Sequence, residues 1–585
     1  MILFNRNNAS QPQPRRHGCL WTLLVCTLIY FIVCGIFGIL MGDMFTPPAT
    51  TLSDNAVYRI TMQGTVLEQG EEDNPFAQLF EDMPGYEIEK TVGLDDLISN
   101  IRLAKKDTNI KGIYLYGGEF AMGQATAKTL RDALSDFKAS GKWILAYSEH
   151  YSATNYYVAS VADKVYLNPV GSIAWNGLSA QKMYYKRLLD KLGIEMQILK
   201  VGTYKSAVEP YFRTSMSEAD RQQTQLYLDG LWDILKEGVS VSRHISTDNL
   251  EQYADLYMGL QPQNNYVTYG FVDSLLYVQD MDSILRTWIG VKDYTCFSTR
   301  EMSQVKRDKI HKGDKVAVVY AEGEITDRVG NGIVGDKMIK LLKKIGKNDQ
   351  VKAVVLRVNS PGGSADASEQ IHHALSCLQA QGKPVVVSMG DYAASGGYYI
   401  SCHADYIYTE PNTLTGSIGI FGTIPNLNKL RDKVGIDIDG TGTNRLSSLE
   451  TNMLYRGMNN EEYHMMQSMV ERGYDLFTRR CAEGRHMSQD AIKDIGEGRV
   501  WLGRDAFRIG LVDALGNLDD AIVKAAELAS LNNYTIACYP EKKDFLTELL
   551  ESMEQPNEEE RLILKIKEFA SKPRIMALMP YITVK

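Results

Sequence analysis

The sequence has no excess of positive charge, little histidine and no clustered cysteine, and each shortage removes a class of function. A net charge of −9 offers no basic face for phosphates, so no nucleic-acid partner is expected. The chain has 9 histidines but no HExxH or comparable group of ligand residues, so neither a metallohydrolase nor any metal or other cofactor is expected. Three cysteines, Cys19, Cys26 and Cys34, fall in one apolar run, while Cys296, Cys377, Cys402, Cys481 and Cys538 are scattered. An odd number without close spacing is neither a disulfide framework nor a zinc site, and buried thiols packing as small hydrophobes are expected.

Only one apolar run is long. Residues 19–41 (CLWTLLVCTLIYFIVCGIFGILM) carry no charge, and a membrane-spanning helix needs about 20 such residues. Arg15 and Arg16 precede the run and Asp43 follows it. The basic side stays in the cytoplasm, so a single-pass anchor with everything after Gly42 outside is expected. A cleaved signal peptide would have a shorter apolar stretch and a small-residue site directly after it. With 44% apolar and 23% charged residues the remainder reads as globular, and 585 residues are too many for one core. The expected division is a cytoplasmic N-terminus at 1–18, the anchor at 19–41, a linker at 42–55, domains at 56–300 and 313–540, and a charged tail at 541–585.

The two domains read as copies of each other, with a period of about 240 residues. Lys111-Gly-Ile-Tyr-Leu matches Lys352-Ala-Val-Val-Leu, and Gly141-Lys-Trp-Ile-Leu-Ala matches Gly382-Lys-Pro-Val-Val-Val. Tyr156-Tyr157 with Asp163 matches Tyr398-Tyr399 with Asp405. Gly171-Ser-Ile, Lys191-Leu-Gly-Ile and Gly270-Phe-Val-Asp recur as Gly416-Ser-Ile, Lys433-Val-Gly-Ile and Gly510-Leu-Val-Asp, in the same order. Short β-branched runs alternate with amphipathic stretches. In the second copy, strands at Val316–Tyr320, Ala353–Val358 and Pro384–Ser388 and a helix over Ala367–Gln381 predict βαβ units and a largely parallel α/β sheet.

Chemistry concentrates in the second copy. In Asp391-Tyr-Ala-Ala-Ser395-Gly396-Gly397-Tyr-Tyr the serine follows a strand and opens a helix, beside unpaired N–H groups that favour an anionic oxygen. Arg357-Val-Asn-Ser-Pro361-Gly362-Gly363 follows the neighbouring parallel strand and ends on the same sheet edge, where ligand sites lie. One of its glycine N–H groups, with that of Gly396, could complete an oxyanion hole. A nucleophilic serine needs a base. His403 is poorly placed for it, so a lysine kept neutral by burial is the remaining option, and the residues alone do not select which.

These motifs, with Leu414-Thr-Gly-Ser417-Ile-Gly and Gly202-Thr-Tyr-Lys205-Ser-Ala-Val-Glu-Pro, resemble those of the signal peptide peptidase A family in its long, duplicated form. The resemblance implies two tandem ClpP/crotonase-like domains after the transmembrane helix, a Ser–Lys dyad and an assembly of several chains, a tetramer. By position it implies Ser395 as nucleophile, Lys205 as base, Ser417 orienting the amine, and Gly396 with Gly362 or Gly363 as oxyanion donors. Remnant signal peptides and other short apolar peptides are the implied substrates, and the inner membrane with domains on the periplasmic side the implied place.

The duplication adds an independent expectation. Ser395 corresponds to Ala153 or Thr154 in the first copy, and Lys205 to Ser447 in the second. Each copy has lost half of the dyad, so the serine of one domain must meet the lysine of a neighbour. That is a head-to-tail contact able to close a ring of alternating domains. Because Glu209 precedes Pro210, no regular helix is expected there, and its carboxylate should point away from Lys205. The rival readings are an inactive membrane scaffold and a crotonase-type acyl-CoA lyase.

Overall fold

A computed structural model describes residues 50–70, 90–305, 313–328, 330, 332–542 and 574–579. The run 19–41 lies outside these, and among the described residues no helix is long and apolar enough to cross a membrane.

Two parallel sheets repeat one strand order. In the first, Ala56–Leu67, Ile110–Ala121, Trp143–Ser152, Lys164–Ala174 and Ser274–Leu275 are successive neighbours, and Thr295–Phe297 pairs with the far side of the first strand. In the second, the corresponding series is Lys315–Glu322, Val351–Ser360, Val385–Ala394, Tyr406–Thr409 and Ala514–Leu515, with Thr535–Tyr539 beside the first strand. The predicted strands are present, each longer than the β-branched run that announced it. The predicted helix runs Ala365–Ala380, its first turn capped by Ser364, whose hydroxyl accepts the N–H of Ala367 (3.2 Å).

The copies share their polar anchors as well as their sheets. The Tyr156 hydroxyl donates to the Phe271 carbonyl (2.6 Å) and that of Tyr398 to the Leu511 carbonyl (2.8 Å). Asp163 accepts the N–H of Ile144 (2.8 Å) and Asp405 that of Val385 (2.7 Å). Asp273 and Asp513 accept the N–H groups of Val165 and Ile407, and each binds an arginine, Arg243 or Arg485, at the end of a 26-residue helix. These carboxylates satisfy strand ends that would otherwise be buried unpaired, which explains why the Asp and Tyr positions are the ones the sequence repeats.

A third sheet crosses between the copies. Glu195–Val201 of the first pairs antiparallel with Ile420–Asn426 of the second along seven residue pairs, from Glu195 with Asn426 to Val201 with Ile420. Arg574–Leu578 lies between Ile420–Asn426 and the short strand Gly362–Ser364, antiparallel to both. Asp391, on the strand leading to Ser395, accepts the N–H groups of Ala125 (2.7 Å) and Thr126 (3.0 Å) and so caps the helix Gln124–Lys138 of the other copy. Arg357 pairs with Glu68 at 2.8 Å, the two side chains 1% and 3% exposed.

Two outcomes follow from this junction. Glu68→Leu leaves the Arg357 guanidinium buried without its counter-charge and should destabilise by about 3–5 kcal/mol, most of it recovered in Glu68→Leu with Arg357→Met. An unchanged urea midpoint for the single variant would contradict this. Burial, reinforced by the Glu68 carboxylate, pushes the Glu322 carboxyl up to about 7. The folded state therefore binds a proton that the unfolded state releases at lower pH, and that stability is lost as pH rises through 7. Glu322→Gln should raise the melting temperature at pH 8 and much less at pH 5.

Candidate active site

The strand Val385–Ala394 delivers Ser395 to the N-terminus of the helical turn Gly396–Tyr399. Ser395 has φ 56° and ψ −112°, a backbone conformation that a residue with a Cβ rarely adopts and that clusters at functional sites. Its N–H donates to the Gly416 carbonyl (2.8 Å), which locks the turn against the loop holding Ser417. The first copy relaxes at this place. Its helix Ala153–Ala159 starts after Ser152, which has φ −67° and spends its hydroxyl on the N–H of Asn155.

The crossing sheet supplies the second group. Val201 ends the strand that pairs with Ile420, and four residues later Lys205 turns inward beside Ser417. Lys205 Nζ lies 2.6 Å from Ser395 Oγ, 3.0 Å from the Ser417 carbonyl oxygen and 3.1 Å from Ser417 Oγ. Lys205, Ser395 and Ser417 are all fully buried. Burial alone drives the Lys205 amine well below the usual lysine range, and no carboxylate opposes it. A neutral amine has two N–H groups and one lone pair. The two N–H groups match the two Ser417 oxygens, and the Ser417 hydroxyl in turn lies 3.3 Å from the Gly498 carbonyl, to which it donates. The lone pair is left facing the Ser395 hydroxyl.

Glu209 points elsewhere, as expected, its carboxylate accepting the N–H of Ser217 (2.9 Å). It does begin a short helix, Glu209–Phe212, contrary to expectation. Pro210 sits in the first turn, where the missing N–H has no intrahelical partner to lose. Ser447, the counterpart of Lys205, is exposed, and its hydroxyl accepts the N–H of Asn444 in its own turn (3.0 Å).

The glycine motif reaches the same place. Gly362 has φ 101°, and a Cβ there would come within 2.6 Å of the Gly396 nitrogen, so the two backbones meet with no room for a side chain. Gly363 instead packs against Ile325, where a Cβ would overlap the Ile325 carbonyl. Gly362 therefore adjoins Gly396, and Gly363 fixes the strand beside it.

Sequence reasoning missed the residues that enclose the amine. A Cβ at Gly498 (φ 77°) would come within 2.7 Å of Lys205 Cβ. The Arg499 carbonyl accepts the Ser417 N–H (2.7 Å), and its guanidinium lies over the rings of Tyr204 and Trp501. Gln223 donates to the Tyr204 carbonyl (3.0 Å) and accepts the Val500 N–H (3.2 Å), tying the lysine loop to the loop around it. The only signal was Gly496-Glu-Gly498-Arg, two glycines in a polar stretch with no chemistry of their own.

Residues 136–291 and 378–532 match the model of Peptidase family S49, and 303–413 that of Clp protease. Protease 4 of Salmonella typhi is 38% identical over 473 residues, a match spanning 79% of this chain and 76% of that protein. Protease 4 of Haemophilus influenzae is 34% identical, spanning 82% and 80%. The chloroplastic serine protease SPPA of Arabidopsis thaliana is 27% identical, spanning 85% and 72%.

Only an unprotonated Lys205 amine has a lone pair able to accept the Ser395 proton. The rate of Ser395 modification by a fluorophosphonate should therefore rise with pH and level off well below the ordinary lysine value of about 10.4. A rate flat from about pH 6 to 9 would contradict a lysine partner for the serine.

Proposed function

Since the chain belongs to peptidase family S49 and is a serine protease of ClpP-like α/β fold with two family repeats, we propose that it cleaves peptides with Ser395 as nucleophile and Lys205 as base. The observation carrying this is the 2.6 Å contact between a buried, carboxylate-free amine and a serine in a strained turn. The neutral amine takes the Ser395 proton as Oγ bonds to the substrate carbonyl carbon. The Gly396 N–H and that of Gly362 or Gly363 hold the developing oxyanion. The protonated Lys205 then gives its proton to the leaving nitrogen, and a water deprotonated by the amine hydrolyses the ester. Ser417 holds the amine with its lone pair toward the hydroxyl.

The proposed substrates are short apolar peptides in extended form, remnant signal peptides among them. A strand lying between Gly362–Ser364 and Ile420–Asn426 supports an extended binding mode. The proposed setting is the inner membrane, anchored through 19–41 with the domains at 56–300 and 313–540 on the periplasmic side. The proposed assembly is a homo-oligomeric ring, a tetramer. The inactive-scaffold reading would need a decayed site, and the Lys205–Ser395–Ser417 contacts are all made.

Ser395→Ala and Lys205→Ala should each lower kcat/KM on a fluorogenic apolar peptide by roughly three orders of magnitude or more. Thr154→Ala and Ser447→Ala should keep most of it. Substantial hydrolysis by either dyad variant would overturn the assignment.

A further inference from the structure

Arg131 of the first copy is buried and bridges two elements. It donates to the Tyr157 carbonyl and to Ser160 Oγ (2.8 Å) at the end of the helix Ala153–Ala159. It also donates to the Gly238 carbonyl (2.6 Å) and Ser242 Oγ on the helix Glu218–Arg243. The register set by Gly141 and Gly382 puts His372 at its place in the second copy. His372 makes no such bridge, and among the described residues neither of its ring nitrogens has a hydrogen-bond partner. The register set by Tyr156-Tyr157 and Tyr398-Tyr399, carried along the two 26-residue helices, puts Cys402 at the place of Ser160 and Cys481 at that of Val239.

Both cysteines are fully buried in one apolar cluster. The helix Asn460–Arg485 comes so close to the Cys402 backbone that a Cβ on Gly484 would lie 2.2 Å from the Cys402 carbonyl oxygen. Cys481, one turn earlier on that helix, hydrogen-bonds through its thiol to that of Cys402. Cys402 Sγ in turn donates to the Tyr399 carbonyl (3.2 Å), the counterpart of the carbonyl that Arg131 holds. Facing thiols on two closely packed backbones are the arrangement a disulfide needs. We propose that Cys402 and Cys481 form a disulfide that takes over, in the second copy, the bridge made by Arg131 in the first, tying the turn that follows Ser395 to the long helix. This rests on the placement of the domains outside the cytoplasm proposed above. There a small-molecule or protein disulfide oxidises the pair by exchange. One thiolate attacks it and releases a thiol, and the second thiolate then attacks the mixed disulfide and releases the other. The two released thiols carry the two electrons and two protons that the pair loses. Burial pushes the Cys481 thiol up, so the exchange belongs to folding, before the core closes.

The test is peptide mapping of the full chain, taken from membranes without reductant and unfolded in urea with iodoacetamide. Two peptides joined through Cys402 and Cys481 are expected, with Cys296, Cys377 and Cys538 alkylated. The same link should form when the reduced, unfolded chain is refolded in detergent with a mixture of reduced and oxidised glutathione. Cys402→Ser with Cys481→Val, the residues of the first copy, should melt roughly 5–10 °C below the parent. Dithiothreitol should lower the parent's melting temperature toward that of the double variant and leave the variant's unchanged. Alkylation of both cysteines in the membrane-derived and the refolded chain alike, or their pairing with other cysteines, would overturn the disulfide. A link formed on refolding but missing from the membrane-derived chain would uphold the pair and overturn the placement outside the cytoplasm instead. Fluorophosphonate labelling of Ser395 reads the protease assignment separately from either outcome.

Discussion

A primary amine works as a base near neutral pH only when water and carboxylates are both kept from it. The fold meets that condition at Lys205. The amine is fully buried, its pKa is lowered by desolvation alone, and the nearest acidic side chain in sequence, Glu209, is turned to the N–H of Ser217. Such burial is costly unless the remaining hydrogen-bonding capacity is used. Ser417 uses it, through its carbonyl and hydroxyl oxygens. The first copy supplies the lysine, but the second copy supplies most of its enclosure, Ser417, Gly419 and Gly498. Neither copy could hold the amine neutral by itself.

That division explains what the duplication kept and what it lost. The paired Tyr–carbonyl and Asp–backbone bonds persist in both copies because each sheet needs its strand ends satisfied. Ser395 and Lys205 do not recur in the other copy, since one junction brings one serine to one lysine. The strained turn at Ser395 has as its counterpart in the first copy an ordinary capped helix start at Ser152. The junction itself is held by polar contacts placed next to the chemistry. Asp391 caps a helix of the first copy four residues before Ser395, and Arg357 binds Glu68 just before the Asn-Ser-Pro-Gly-Gly loop. Loss of either contact would loosen the same two loops that carry the serine and the glycines.

The largely parallel sheet, the repeat and the positions of Ser395, Gly396 and the Gly362–Gly363 pair could be read from residue patterns, because strand periodicity and glycine-rich turns are local signals. Choosing Lys205 took a resemblance, since a buried lysine looks in sequence like any other lysine. Gly498, Arg499 and Gln223 were not legible at all. Each makes a contact with a residue more than 200 positions away, Gly498 with Lys205, Arg499 with Tyr204 and Gln223 with Val500, and nothing in their own neighbourhood marks them. The strand Arg574–Leu578 was hidden for the same reason, being a short apolar stretch in a charged tail whose partners are Gly363 and Phe421. The turn at Pro210 misled because proline blocks a helix interior but not its first turn.

The central claim is that the lysine of one repeat and the serine of the other meet within a single chain. Co-expressing Ser395→Ala and Lys205→Ala chains with different tags, and isolating assemblies that carry both, tests it directly. With the dyad inside one chain every site in such an assembly keeps a lesion, and peptide hydrolysis stays at the level of the single variants. Recovery of about a quarter of the sites, the share random mixing gives when neighbouring chains exchange halves, would contradict the account.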